Sequence, residues 1–239
     1  MFVQIRRLFA AFAALLFIIQ PAYAQDQKLT IKGSPEAVAA TEKLLVNAGG
    51  KNVWSQETFT VYERIYLQSG QVAQMRITRN LKNTTRRLEG RFGGTFFVQY
   101  IGEDEGWTWR NGNLTKMSAE DLSTEQIGLQ QSLYYVYHRI ANNDPALSLE
   151  LVENGRRLNV HENEERLMCW FLLDGKGQQY SWGNIFKGEV AQHFYGPFEQ
   201  MGHARLPAWG SSSNGGFRFE YVHSDFGLMD VDSSIPEGD

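Results

Sequence analysis

The sequence predicts an α+β fold built mostly of antiparallel strands. Three observations carry this: period-two apolar alternation dominates both halves of the chain, Gly- and Asn-rich turns separate the alternating runs at hairpin spacing, and only two segments show helical spacing. The length of 239 residues suits one large domain with a sizeable core once the N-terminal 24 are set apart.

Those 24 residues read as a cleavable secretory signal. Arg6 and Arg7 precede an apolar run from Leu8 to Ile19, and Pro21 leads into the small-residue tripeptide Ala22, Tyr23, Ala24 before Gln25. The run is shorter than the ~20 residues a spanning helix needs. Cleavage after Ala24 is expected, leaving residues 25–239 as a single periplasmic domain. The one cysteine, Cys169, lies far from that site, so no lipid anchor is expected there. It also excludes an intramolecular disulfide. Its neighbours Met168, Trp170 and Phe171 predict a buried thiol rather than a nucleophile.

Ser34 and Pro35 supply a capping hydroxyl and a first-turn proline. Val38, Thr41, Leu45 and Ala48 then fall on one face, and Gly49 with Gly50 stops the helix. From there the period becomes two. Phe59, Val61, Ile65 and Leu67 mark a long strand, residues 68–71 a turn, and Ala73, Met75 and Ile77 its hairpin partner. Leu88 marks a third strand, 96–101 a fourth, and Trp107 with Trp109 a fifth, ending at the type I′ signal Asn111–Gly112. Ser118 and Asp121 form a capping box ahead of the strongest helical stripe, Leu129, Leu133, Val136, Tyr137 and Ile140. This helix is expected to pack on the core or to act as a lid. Strands follow at 147–153, 157–161, 166–173, 179–182, 189–195 and 217–223, with an excursion or edge strand in the long segment before the last. The acidic tail 230–239 is expected to fray.

Composition narrows the function. Without Arg6 and Arg7, the 23 basic residues become 21 against 27 acidic ones, a net charge of −6, so nucleic acid is not expected as a partner. Arg86, Arg87 and Arg91 sit in an alternating segment and read as a solvated strand face. His161, Glu162 and Glu165 approach H-E-x-x-H but lack the second histidine and the helix, so neither metal nor other cofactor is expected. Nucleophile elbow, P-loop and dinucleotide fingerprints are missing. His138, His193, His203 and His223 are scattered, and the carboxylates fall on turns and exposed strand positions, so no enzyme activity is expected. Asn83 and Asn113 each begin an N-x-T tripeptide.

The order of segments resembles the LolA/LolB-like family of periplasmic proteins that sort outer-membrane lipoproteins. The similarity rests on the helix ending in AGG before a Trp, the EGWTWRNG hairpin, the helical insert opening with SAEDL, the closing strand FRFEYV, and the D-x-S-x-P tail from Asp232 to Pro236. It implies a half-open antiparallel β-barrel with helices plugging or covering its concave face. It further implies a monomeric carrier of a hydrophobic or acylated ligand that serves envelope lipoproteins or membrane proteins. The alternative is an envelope interaction or sensing module without a lipid. On the carrier reading the lining is drawn from alternating apolar positions, namely Phe59, Val61, Ile65, Met75, Ile77, Phe97, Trp107 and Trp109, with Leu133 and Tyr137 from the second helix. Core packing explains each of these equally well.

Overall fold

A computed structural model describes residues 28–227 and 230–237, and the expected signal peptide lies outside them. Strands account for 49% and helices for 20% of the described residues, in agreement with the α+β, mainly antiparallel expectation. A short strand β1 (Lys32–Gly33) leads to helix α1 (Pro35–Asn47), whose N-cap Ser34 accepts the amide of Ala37. Helix α1 buries Ala37, Thr41, Leu44 and Leu45. Its end is steric as well as conformational: Gly49 has a φ of 115°, and a Cβ there would lie 3.2 Å from the backbone nitrogen of Arg205. One turn, α2 (Lys51–Trp54), then buries Trp54, whose indole donates to the Ala48 carbonyl at 2.9 Å.

A six-stranded meander follows: β2 (Thr58–Leu67), β3 (Val72–Asn80), β4 (Thr85–Phe92), β5 (Thr95–Ile101), β6 (Gly106–Arg110) and β7 (Asn113–Lys116). Asn111 and Gly112, at φ 46° and 83°, adopt the left-handed pair that a type I′ turn requires and add the β7 hairpin to the five expected strands. Helices α3 (Ala119–Gln130) and α4 (Leu133–Ala141) come next. The second meander runs β8 (Leu147–Val152), β9 (Arg157–Glu162), β10 (Arg166–Leu173), β11 (Gln179–Phe186) and β12 (Glu189–Tyr195). The long segment before the last strand resolves into a separate hairpin, β13 (Phe198–Met201) with β14 (Ala204–Pro207), and β15 (Trp209–Ser212), which pairs with β12 and with β16 (Phe217–Phe226).

All strands but that hairpin join one sheet, in the order β1-β8-β9-β10-β11-β12-β15-β16-β2-β3-β4-β5-β6-β7. Only β1 and β8 pair in parallel; the sheet is not closed into a barrel. The last strand therefore joins the two meanders, since β16 pairs with β2 from Phe217 opposite Leu67 to Phe226 opposite Phe59.

The sheet curls around α4. Tyr134 lies 5.0 Å from Phe59 on β2 by ring centroid, Tyr135 donates to the carbonyl of Thr85 at the start of β4, and Tyr137 stacks on Phe171 of β10 at 5.7 Å. One helix can touch β4, β2 and β10 only if the sheet between them is strongly curved. Trp54 completes the cluster, with ring centroids 4.9 Å from Tyr137 and 5.2 Å from Phe226. Ring contacts at these separations add to what burial alone contributes.

Two expectations need correction here. The apolar stripe from Leu129 to Ile140 is not one helix: α3 stops at Gln131, and Ser132, with extended backbone, starts α4. The reason is that α4 is buried on nearly all sides, whereas α3 buries only Leu122 and Leu129, so the two cannot share an axis and one face. The C-terminal tail has no regular structure over its described residues, but it is docked on the sheet rather than free along its length. Asp232 folds back on Ser234, accepting its amide at 2.8 Å, and the carbonyls of Asp232 and Ser234 both accept from Arg87 Nη1, at 3.0 and 2.7 Å.

Candidate functional site

Strand parity decides which side chains face the helices. On β2 the inward positions are Phe59, Val61, Glu63 and Ile65, and their partners on β3 are Arg79, Ile77, Met75 and Ala73. The partners of those on β4 are Arg86, Leu88, Gly90 and Phe92. Two arginines and one glutamate thus lie in phase with the apolar stripes. Arg79 and Arg86 are direct cross-strand neighbours. Like charges so placed repel, and Arg79 is only 7% exposed.

These arginines form one wall of a cavity of about 250 Å³. Helix α3 lies across it with Glu125, Gly128 and Leu129; the far wall is Trp182, Asn184 and Phe186 of β11 with Ala191 and His193 of β12. The helix approaches both walls closely. Glu125 faces Arg86 at 3.6 Å, and a Cβ on Gly128 would come within 2.8 Å of the Phe186 ring, which makes glycine the residue that permits this contact. Gln126 anchors the helix on its other side, donating to the carbonyls of Gly102 and Glu103 at 2.7 and 2.9 Å.

Burial governs the electrostatics. It lowers the Arg86 pKa to about 10, with Arg79 pushing the same way, and raises the Glu63 carboxyl against the pull of both arginines. It holds His193 down to about 4, so this imidazole is neutral at neutral pH. The Arg79 guanidinium carbon sits 4.4 Å from the Tyr134 ring centre, a cation–π contact in place of a carboxylate. Four buried polar atoms of lining residues have no hydrogen-bond partner: Arg79 Nη1, Arg86 Nε, Ser132 Oγ and Asn184 Oδ1. A fifth, Trp182 Nε1, has only the Cys169 sulfur as a weak acceptor. Buried polar groups are ordinarily paired, because an orphan carries the full cost of desolvation.

Other grooves are larger, and their charged side chains are paired in part. The outer-face groove of about 330 Å³ between Arg64, Arg76, Arg91 and Phe96 also holds Glu89, which pairs with Arg76 at 3.3 Å. A groove of about 440 Å³ beside His138 contains Arg139, already bound to Asp144 at 2.7 Å and Glu162 at 2.8 Å. His161 faces Glu150, and among the described residues no group of three or more metal-ligating side chains gathers.

No family model and no curated protein matches this chain.

Of the expected lining, Phe59, Val61, Ile77, Leu133 and Tyr137 belong to the main core, with Ile65 and Met75 packed against it. None of these lines the cavity under α3. Phe97 faces inward near the sheet edge, its ring against Gly90. Trp107 and Trp109 are a correction. They pair with Tyr100 and Val98, opposite in parity to the inward Ile101, and form a separate cluster on the outer face with Phe96. Alternation alone predicts that the two share a face, not which one. The reading of Arg86, Arg87 and Arg91 as a solvated face is also corrected. Arg86 points inward, Arg87 is buried on the outer face beneath the tail, and only Arg91 is exposed. Nor are all carboxylates peripheral, since Glu63 is inward. Sequence reasoning missed Glu63, Arg79 and Arg86 although a signal was present: each continues the period of an apolar stripe.

Proposed function

We propose that this is a non-catalytic binding protein of the cell envelope, exported by a signal peptide cleaved after Ala24, that takes a hydrophobic or amphipathic ligand beneath α3. Its fold reads best as the half-open barrel of the LolA/LolB-like resemblance, with α4 as the plug and α3 as the lid. The observation that carries the proposal is the cavity under α3, where Leu129, Trp182, Phe186 and Ala191 provide apolar walls and weak anchorage of the helix supplies an entrance. Burying methylenes contributes ~0.8 kcal/mol each, so a short buried chain gives useful and reversible affinity. Lipid or lipoprotein carriage would require α3 to swing out, because α4 and its tyrosines already fill the rest of the concave face.

The test is native mass spectrometry and solvent extraction of protein taken from the envelope fraction, with displacement of a fluorescent fatty acid in vitro. A co-purifying amphiphile and saturable displacement are expected, and Ala191→Trp, which fills the cavity, is expected to abolish both. Absence of any amphiphile together with no displacement overturns the proposal. N-terminal sequencing starting at Gln25 checks export.

A second reading, an envelope interaction module without a lipid, is favoured by one observation: Ile185, Val190, Phe194 and Trp209 are exposed on neighbouring strands β11, β12 and β15. Ala191→Trp leaves partner binding intact on this reading.

A further inference from the structure

The cavity under α3 joins apolar walls to a cluster of unpaired polar atoms, and most of the groups that carry them can donate a hydrogen bond. Arg79 Nη1 and Arg86 Nε are N–H donors aimed from adjacent strands. Ser132 adds a hydroxyl that its position does not explain. It is the N-cap of α4, where a serine oxygen normally accepts an amide of the first turn, yet it makes no capping bond. The Asn184 amide presents either its oxygen or, turned over, its NH₂. These groups line a single open cavity from β3, β4, the α3–α4 junction and β11.

The balance of charge at this point is incomplete. Glu125 meets Arg86 at 3.6 Å, long for an ion pair, and its side chain is one-third exposed. Glu63, the other carboxylate near the arginines, is pushed up by burial and pulled down by both of them, and Arg86 also donates to Gln99 Oε1, which leaves its Nε unpaired. His193 carries no charge at neutral pH. Lys187 adds a cation at the rim, its Nζ 5.2 Å from the Phe186 ring centre. A buried arginine pair without full compensation is costly, and an oxyanion arriving in the cavity removes that cost while forming charge-assisted bonds.

Resting on the binding-protein reading above, we propose that the ligand is anionic: its carboxylate or phosphate is held by Arg79 and Arg86 with help from Ser132, and its apolar part lies against Leu129, Trp182 and Phe186. The shared chemistry is a tetrahedral or planar oxyanion. Its source is the head of an amphiphile, as opposed to a free inorganic ion.

The test is a titration series on the unaltered mature protein at pH 7.5, by calorimetry, with decanoate, 1-decanol, methyl decanoate and inorganic phosphate. Decanoate is expected to bind at least tenfold more tightly than either uncharged analogue, and phosphate more weakly than decanoate. Arg79→Met and Arg86→Met are expected to shrink the preference for decanoate over decanol to below threefold without loss of decanol binding. The wild-type series tests the preference for an anionic head even if one variant is too unstable to purify, because it needs no substitution. Equal binding of acid, alcohol and ester overturns the oxyanion site and leaves the binding-protein reading standing. Binding of phosphate with no amphiphile binding keeps the oxyanion site and overturns its amphiphile source along with that reading. No binding by any of the four overturns both.

Discussion

Helices α3 and α4 are consecutive, separated by two residues, and they occupy opposite environments. Helix α4 is a plug: Leu133, Tyr134, Tyr135, Val136, Tyr137 and Ile140 are all buried, and its tyrosine hydroxyls find Thr85, Gln179 and Tyr221. Helix α3 touches the molecule with Leu122, Glu125, Gln126, Gly128 and Leu129 and leaves Ile127 exposed. Every polar group of the plug's tyrosines is answered, whereas the cavity beneath α3 keeps four unanswered buried atoms. Around the plug the unpaired buried atoms are Gln179 Nε2 and Gln131 Oε1, set apart from one another, whereas beneath α3 the unpaired atoms share one cavity. The concave face of this sheet is thus divided into a half filled by α4 and a half that keeps a cavity, the receptive half of the proposed function.

The largest effect that tests this division comes from the plug. Tyr137→Ala removes a ring stacked on Phe171 and packed on Trp54 and leaves Gln179 without its partner. Truncating a large core aromatic costs about 3–5 kcal/mol, and that loss is expected in urea unfolding of the mature protein. A loss under about 1 kcal/mol would mean that α4 can be displaced, and the plug would have to be redrawn as part of the lid.

The cavity half holds the histidine with the larger shift. His193, packed among Trp182, Phe217 and Phe219, has a folded pKa lowered to about 4. A depressed base is most stabilising while neutral. Its contribution is therefore complete above the unfolded value of about 6.5 and is lost as pH falls toward 4. At about 1.4 kcal/mol per unit, the full loss is roughly 3–4 kcal/mol, of which about 2 falls between pH 7.5 and 4.5. His138, also lowered by burial, adds in the same direction; Glu63, whose folded pKa is raised, contributes in the opposite sense, its share being present at low pH and lost as pH rises. Unfolding free energies of wild type and His193→Phe at pH 7.5 and 4.5 isolate the histidine. The variant is expected to flatten the difference by about 2 kcal/mol, and an unchanged slope would assign the acid sensitivity to other groups.

Much of the scaffold was legible in the sequence because its signals are local. The Ser34–Pro35 start of α1, the Asn111–Gly112 turn and the period-two stripes of β2 and β3 each depend on neighbours within a few residues. What was not legible is non-local. The burial of α4 on every side depends on sheet curvature that brings β10 opposite β2, and no periodicity encodes that. The outward placement of Trp107 and Trp109 depends on register through β4 and β5 back to the core. The docking of Asp232 and Ser234 on Arg87 joins residues 145 and 147 apart in sequence. The site itself was half legible. Glu63, Arg79 and Arg86 stand in phase with inward stripes, but their convergence with Asn184 and His193 requires the two meanders to face each other, a consequence of β16 pairing with β2.

The smallest effect separates the halves most cleanly. Ser118 caps α3, its Oγ accepting the Asp121 amide at 3.1 Å and its hydroxyl donating to the Asp121 carboxylate at 2.7 Å. Ser118→Ala removes the cap, worth about 1 kcal/mol. Helix α3 has little tertiary anchorage to absorb that loss, so the cost is expected as local opening: amide exchange across Ala119–Gln130 should accelerate about fivefold, while amides of α4 and the Tyr137 environment keep their protection. If the two helices accelerate together, they open as one cooperative unit. The boundary at Gln131–Ser132 would then be a bend in a single element, and the cavity would be reached only by global unfolding. If α3 opens alone, ligand entry needs no disturbance of the core, because the helix that covers Arg79 and Arg86 is then the least stable part of the concave face.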